Sequence, residues 1–281
     1  MRYVFAAAAA ILLGFAATVV TLSESALRIP ARLRQVSDPP GASEVSVRST
    51  DGTLLRGALF RPRAPVGKAV LVLHGLGDTR RGAAAFAPML TERGFTVLVP
   101  DSRGHGASGG DLVTYGIREK DDVRAWVSTL PEGRVYGLGE SMGAAILIQA
   151  LEAEPRLRSV VAECSYATFR DAALDRIPRL APWAAFARVP ILEAAFWYIF
   201  WRYGLDLDMA SPAAALARSR TPVLLIHGLA DDRTAPEQSR RLHAAAPHTT
   251  ELWEVPGAGH TRAFAAAGDE FQRRVLEWFE K

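Results

Sequence analysis

Cysteine is almost absent from this chain. Cys164 is the only one in 281 residues, so no internal disulfide can form and no thiolate cluster can hold a metal. Long blocks of one charge are missing too: the net charge of +3 comes from arginines scattered among acids. That scatter excludes the concentrated basic stripe of a nucleic-acid-binding face, and no nucleic-acid partner is expected. No repeat period runs along the sequence, no GxGxxG turn follows a strand, and histidines and carboxylates do not gather at metal-ligand spacing. A solenoid, a dinucleotide site and a metal centre are therefore unsupported, and neither cofactor nor metal is expected. A hydrophobic content of 49% with 22% charge excludes extended disorder and predicts a large core.

What is present starts with Tyr3–Leu22, YVFAAAAAILLGFAATVVTL, which carries no charge. At about 1.5 Å rise per helical residue, such a run spans the roughly 30 Å hydrocarbon core of a bilayer. Residues 1–22 are read as a membrane anchor. The rival is a cleaved secretion signal, but its apolar stretch is usually about 7–15 residues long, and TLSESALR offers a poor cleavage site. The side of the membrane is contested. Arg28, Arg32 and Arg34 after the run outnumber Arg2 before it and favour a cytoplasmic body, whereas a short tail before a signal-like run accompanies an exported one. The lean is to an extracytoplasmic body, secreted if the segment is removed. Residues 23–43, with Pro30, Pro39, Pro40 and Gly41, read as a connector to a folded body over 44–281.

That body opens with EVSVRST and LLRGALF around Asp51-Gly52, the signature of an antiparallel hairpin. Short apolar runs follow at 69–73, 96–99, 134–138, 159–163, 222–226 and 251–255, and helical spacing appears over 82–92, 117–130, 142–153, 237–245 and 263–279. Strands apolar on both faces and separated by helices predict a mostly parallel sheet of about eight strands. The connection from Glu163 to Pro222 is longer than one crossover helix requires, which predicts an inserted cap at about 165–218. Within it, ILEAAFWYIFWRY places Phe196, Trp197, Phe200 and Trp201 on one helical face. Three uses fit those rings: packing the cap onto the core, lining an acyl pocket, or dipping into a membrane boundary.

In an open parallel sheet, ligands bind beyond the carboxyl ends of the strands. After RVYGL comes Gly139-Glu140-Ser141-Met142-Gly143, then a helical run, the strand-turn-helix setting that exposes a nucleophilic serine. The Met142 N–H at the helix start is a candidate oxyanion donor, and the turn His74-Gly75-Leu76-Gly77 after AVLVL brings Leu76 N–H as a second. His74 itself is read as bracing that loop. After PVLLI come Asp231 and Asp232, of which Asp231 is taken to orient an imidazole, with Glu163 the weaker candidate. After ELWEV comes His260, the candidate general base. The catalytic set is therefore Ser141, Asp231 and His260, each just past its own strand.

In this order of parts, from about Glu44 to Lys281, the chain resembles the α/β-hydrolase superfamily, and DSRGHGASGG at Asp101–Gly110 resembles a loop of its monoglyceride-lipase and serine-aminopeptidase-like branch. The resemblance implies an α/β-hydrolase fold with helices on both faces of an eight-stranded, mostly parallel sheet and a small helical cap, to which the apolar run adds an N-terminal transmembrane helix. It also implies a serine hydrolase that forms a covalent acyl-enzyme on a small acyl substrate without a cofactor; the aromatic cap near an anchor points to an ester or thioester of lipophilic character. Asp101, Arg103 and His105 would then be structural or entrance residues. Two alternatives stand beside this. One is an aminopeptidase-like enzyme whose substrate ammonium would be held by Glu193, Asp206 or Asp208; the other is a catalytically silent, membrane-tethered binding protein.

Overall fold

The computed structural model describes residues 1–30, 37–131 and 133–281. Arg32 and Arg34, and with them part of the expected connector, lie outside the described residues. The hairpin forms as its dipeptide predicts: β1 (Ser43–Arg48) pairs antiparallel with β2 (Leu54–Phe60), Gly52 takes φ 82°, and Asp51 Oδ1 accepts from Thr53 N at 3.0 Å. The remaining strands are β3 (Lys68–Leu73), β4 (Thr96–Pro100), β5 (Arg134–Glu140), β6 (Leu157–Glu163), β7 (Val223–Gly228) and β8 (Thr250–Val255). They form one eight-stranded sheet in the order β1-β2-β4-β3-β5-β6-β7-β8. Only the pairs involving β2 are antiparallel.

Each central strand feeds two cores. In β3, Ala69, Leu71 and Leu73 point into one cluster while Val70 and Val72 point into the other. This is why the strand reads as a continuous apolar run: its period of two is hidden because both faces are covered. One face carries α4 (Glu119–Ser128), α5 (Met142–Ala150), α8 (Pro212–Arg218) and α9 (Glu237–Ala245), with Trp126, Ile146, Leu216 and Leu242 in its core. The other carries α3 (Ala87–Thr91) and α10 (Ala263–Glu280), with Met89, Phe271 and Phe279. The expected single helix over 82–92 is in fact three pieces: α2 (Arg80–Ala83), a 3-10 turn at Ala84–Phe86, and α3. Pro88 is the cause, because it lacks an N–H and fits only the first turn of a new helix.

Between β6 and β7 the chain forms α6 (Phe169–Leu180), a 3-10 segment (Pro182–Ala187) and α7 (Arg188–Tyr203), which ends on left-handed Gly204, before α8 returns to the sheet. The aromatic face of α7 is divided. Phe196 turns inward and stacks on Phe169, with ring centroids 6.1 Å apart, whereas Trp197, Phe200 and Trp201 are 65%, 56% and 73% exposed. The inward stripe is instead Ile191, Leu192, Ala195, Phe196 and Ile199, at the three- and four-residue spacing of one helical face.

The apolar N-terminal run is helical as α1, Arg2–Leu27, long and apolar enough to cross a membrane. It extends past the apolar run into the stretch read as connector, and its last turns pack against α7 and the core.

Candidate active site

The serine turn is built by two glycines. A Cβ on Gly139 would lie 2.5 Å from the Ala144 nitrogen, and one on Gly143 would lie 2.3 Å from the Leu73 carbonyl oxygen, so only glycine lets β5, β3 and α5 meet this closely. Between them Ser141 is held at φ 52°, ψ −112°, a conformation a non-glycine residue adopts only when its surroundings impose it. Part of that constraint is the hydrogen bond from Ser141 N to the Glu163 carbonyl, 2.7 Å. The strained turn lifts the hydroxyl off the sheet into the pocket.

The chain order of β5, β7 and β8 becomes spatial proximity in this sheet. His260 Nε2 lies 3.0 Å from Ser141 Oγ, and His260 Nδ1 lies 2.7 Å from Asp231 Oδ2. Asp231 is buried, while Asp232 is exposed and makes no such contact with His260. The other oxygen of Asp231, Oδ1, accepts from the backbone N–H groups of Arg233 and Thr234 at 2.8 and 2.9 Å. Burial pushes this carboxyl up, but hydrogen bonds from His227, His260 and Thr234 outweigh it and hold the group well below the usual carboxylate range. Asp231 is thus a fixed negative charge facing His260 Nδ1, while His260 Nε2 faces the Ser141 hydroxyl.

His227 is a partner that sequence reasoning passed over. It is fully buried at the end of β7, with Nε2 2.9 Å from the Thr234 carbonyl and 3.3 Å from Asp231 Oδ2, and Nδ1 2.6 Å from Ser239 Oγ. A carbonyl and a carboxylate both facing Nε2 require the proton there, so Nδ1 accepts from the Ser239 hydroxyl. The only local signal was position: it directly precedes the turn that carries Asp231.

Leu76 and Met142 both line the pocket beside Ser141, and Met142 opens α5, where backbone N–H groups have no intrahelical acceptor. The Leu76 turn is braced by two buried histidines. His74 Nδ1 donates to the Gly75 carbonyl at 2.7 Å while its Nε2 accepts from Ser102 N at 3.0 Å; His105 Nε2 accepts from Gly77 N at 3.2 Å. Burial pushes each imidazole down to about 4, so both are neutral and can accept through Nε2. Asp101 and Arg103 are also structural: Asp101 accepts from Arg80 N and Ala107 N at 2.7 and 2.9 Å, and Arg103 forms a fork with Asp122.

The cap covers Ser141 and leaves a pocket of about 880 Å³, within the range of small-molecule sites. Its floor carries Ser141, His260, Asp78 and Glu140, while its cap side is lined by Phe169, Ile177, Leu192 and Phe196 together with the charged Arg176. Glu163, weighed as an alternative acid, accepts from Ala263 N at 2.9 Å and does not meet His260; burial pushes it up to about 7. Glu140 is pushed up to about 8 by burial, with Glu163 and Asp78 adding to the effect. The cap anions are engaged elsewhere: Glu193 and Asp208 pair with Arg170, and Asp206 caps the following turn. Cys164, Asp231 and His260 bring ligand atoms within 4.8 Å of one another, a grouping that sequence spacing did not reveal. There the thiol, pushed up by burial, accepts from Thr261 N at 3.4 Å and steadies the His260 loop.

A strand-turn-helix serine on a sheet of this order defines the α/β-hydrolase architecture. The model of the alpha/beta hydrolase family matches residues 70–274, and the chain belongs to that family. Rv2307c of Mycobacterium tuberculosis is 30% identical over 228 residues, 79% of this chain and 73% of that protein. YqkD of Bacillus subtilis is 27% identical over 221 residues, 75% of this chain and 70% of that protein. Among solved structures, an esterase of Pyrococcus furiosus superposes with a TM-score of 0.72 at 23% identity, covering 90% of this chain and 97% of the esterase.

Proposed function

We propose that this hydrolase cleaves carboxylic esters or thioesters of lipophilic acyl groups through a triad of Ser141, His260 and Asp231. The observation that carries the reading is the unbroken chain of hydrogen-bond contacts from Ser141 Oγ to His260 at 3.0 Å and from His260 to Asp231 at 2.7 Å. Ser141 Oγ attacks the acyl carbonyl as its proton passes to His260 Nε2. The resulting oxyanion is met by the Met142 and Leu76 N–H groups. His260 then protonates the departing alcohol or thiol, and the acyl group remains on Ser141. Water, deprotonated by the same imidazole, attacks the acyl-enzyme, and collapse returns the serine and releases the acid.

The apolar residues on the cap side of the pocket, Phe169, Ile177, Leu192 and Phe196 among them, suit a hydrocarbon chain. The aminopeptidase-like reading loses its cap anions, since Glu193 and Asp208 are bound to Arg170. In this reading α1 anchors the enzyme, and the exposed Trp197, Phe200 and Trp201 suit a body held at a membrane surface. The division into a membrane segment over 1–22, a connector over 23–43 and a hydrolase body over 44–281 with its cap insertion at 165–218 belongs to the same proposal.

The test is direct. A fluorophosphonate should label Ser141 in the folded chain, and Ser141→Ala should abolish labelling and lower kcat on p-nitrophenyl esters by about 10⁴-fold or more. A Ser141→Ala variant that keeps most of the wild-type rate overturns the assignment.

A further inference from the structure

The family match begins at Val70, so α1 lies wholly outside it. Even so, its last two turns are built into the pocket, where Leu22, Ser23, Ser25 and Ala26 contribute to the lining. The attachment is made through backbone and side chains alike. Leu27 is completely buried in the main core, and its carbonyl accepts from Val113 N at 2.8 Å. The Ala26 carbonyl accepts from the Tyr115 hydroxyl at 2.5 Å, and Tyr115 itself lines the pocket. On the cap side, the Glu24 carboxylate accepts from the hydroxyls of Tyr198 and Tyr203 of α7 at 2.9 and 2.5 Å.

One group in this wall lacks a partner. Ser23 is 1% exposed, lines the pocket, and its hydroxyl makes no hydrogen bond. A buried hydroxyl without a partner is costly unless a ligand or water supplies one. A helix serving only as a tether would have no reason to be sealed so tightly against the body.

We propose that the end of α1 is a permanent wall of the substrate site. Leu22, Ser23 and Ala26 bound the space the acyl chain occupies, so the membrane helix sets the acyl length the enzyme accepts and stays attached in the working enzyme. This rests on the acyl-hydrolase reading above. Removing a signal at TLSESALR would strip Leu22 and Ser23 from the wall and leave Tyr198 and Tyr203 without their acceptor.

The full-length chain, in detergent micelles, is assayed on p-nitrophenyl esters from acetate to dodecanoate, with thermal unfolding as the check that each variant is folded. Ser25→Trp, at an exposed position on the pocket rim, and Ala26→Phe should lower the dodecanoate-to-acetate ratio of kcat/KM by about tenfold. Leu22→Ala should move the preferred chain length upward. Folded variants with wild-type chain-length profiles overturn the proposal while leaving the hydrolase reading intact; a wild-type chain inert on every ester overturns that reading instead. Intact mass of the chain extracted from membranes should include α1, and a mature chain that lacks Leu22 overturns the proposal independently of any assay.

Discussion

Around Ser141 the protein keeps buried carboxyl groups in opposite electrostatic states. Asp231 is surrounded by donors and stays ionised, whereas Glu163, at the end of the neighbouring strand β6 and 1% exposed, has a single backbone donor and one oxygen without a partner. Burial therefore raises Glu163 from 4.5 to about 7, against the smaller opposing influence of the Ala263 N–H. In the unfolded chain the group ionises from its ordinary value upward; in the folded chain it keeps its proton to about 7. The native state binds more protons across that window, so stability is highest below it and falls as pH rises through it. The total for a group this buried is about 3 kcal/mol. Glu163→Gln should flatten the decline in urea-unfolding free energy between about pH 4.5 and 7. Because Glu163 also helps to raise Glu140, the variant should keep only part of the decline that Glu140 contributes. A variant whose pH profile matches the wild type would remove Glu163 as its source.

At the scale of elements, α1 is two structures in one helix. From Tyr3 to Leu13 its large apolar side chains are exposed, as a lipid-facing segment requires, while Val19, Ser23 and Leu27 recur at four-residue spacing on a buried stripe. Leu27 is packed as completely as any core residue of the sheet. Leu27→Ala should therefore destabilise the hydrolase body by about 2–5 kcal/mol, read as a lower thermal midpoint of the full chain in detergent, although the residue belongs to the N-terminal helix. An unchanged midpoint would mean that α1 does not dock on the body in solution. The cap helix α7 teaches a related lesson. Its aromatic run reads as one apolar face, but two directions of burial compete there, and the stripe through Leu192, Ala195 and Ile199 takes the core-facing side with Phe196. Trp197, Phe200 and Trp201, rotated around the helix, are left outside.

For the whole molecule, an apolar helix at one end and a docked pocket wall at its other end predict a protein that does not wash off membranes. After alkaline carbonate treatment the chain should remain in the membrane pellet, and its appearance in the supernatant would contradict an uncleaved anchor. The sequence by itself determined the element order, because strand and helix periodicities and the Asp51-Gly52 turn are local properties decided by neighbours along the chain. It likewise placed Ser141, Asp231 and His260 after three different strands, since the serine turn needs glycines at fixed offsets and the loops follow the strands that carry them. Only the tertiary structure decided what those loops meet. The β5-β6-β7-β8 order sets the loops after β7 and β8 side by side, which brings Asp231 rather than Asp232 against His260 and adds His227 to the same carboxylate. It also decided that α1 forms part of the pocket. That contact joins Ala26 to Tyr115 and Glu24 to Tyr198 and Tyr203, pairs separated along the chain by far more than any local pattern spans, so they become neighbours only when the sheet and cap fix their relative positions.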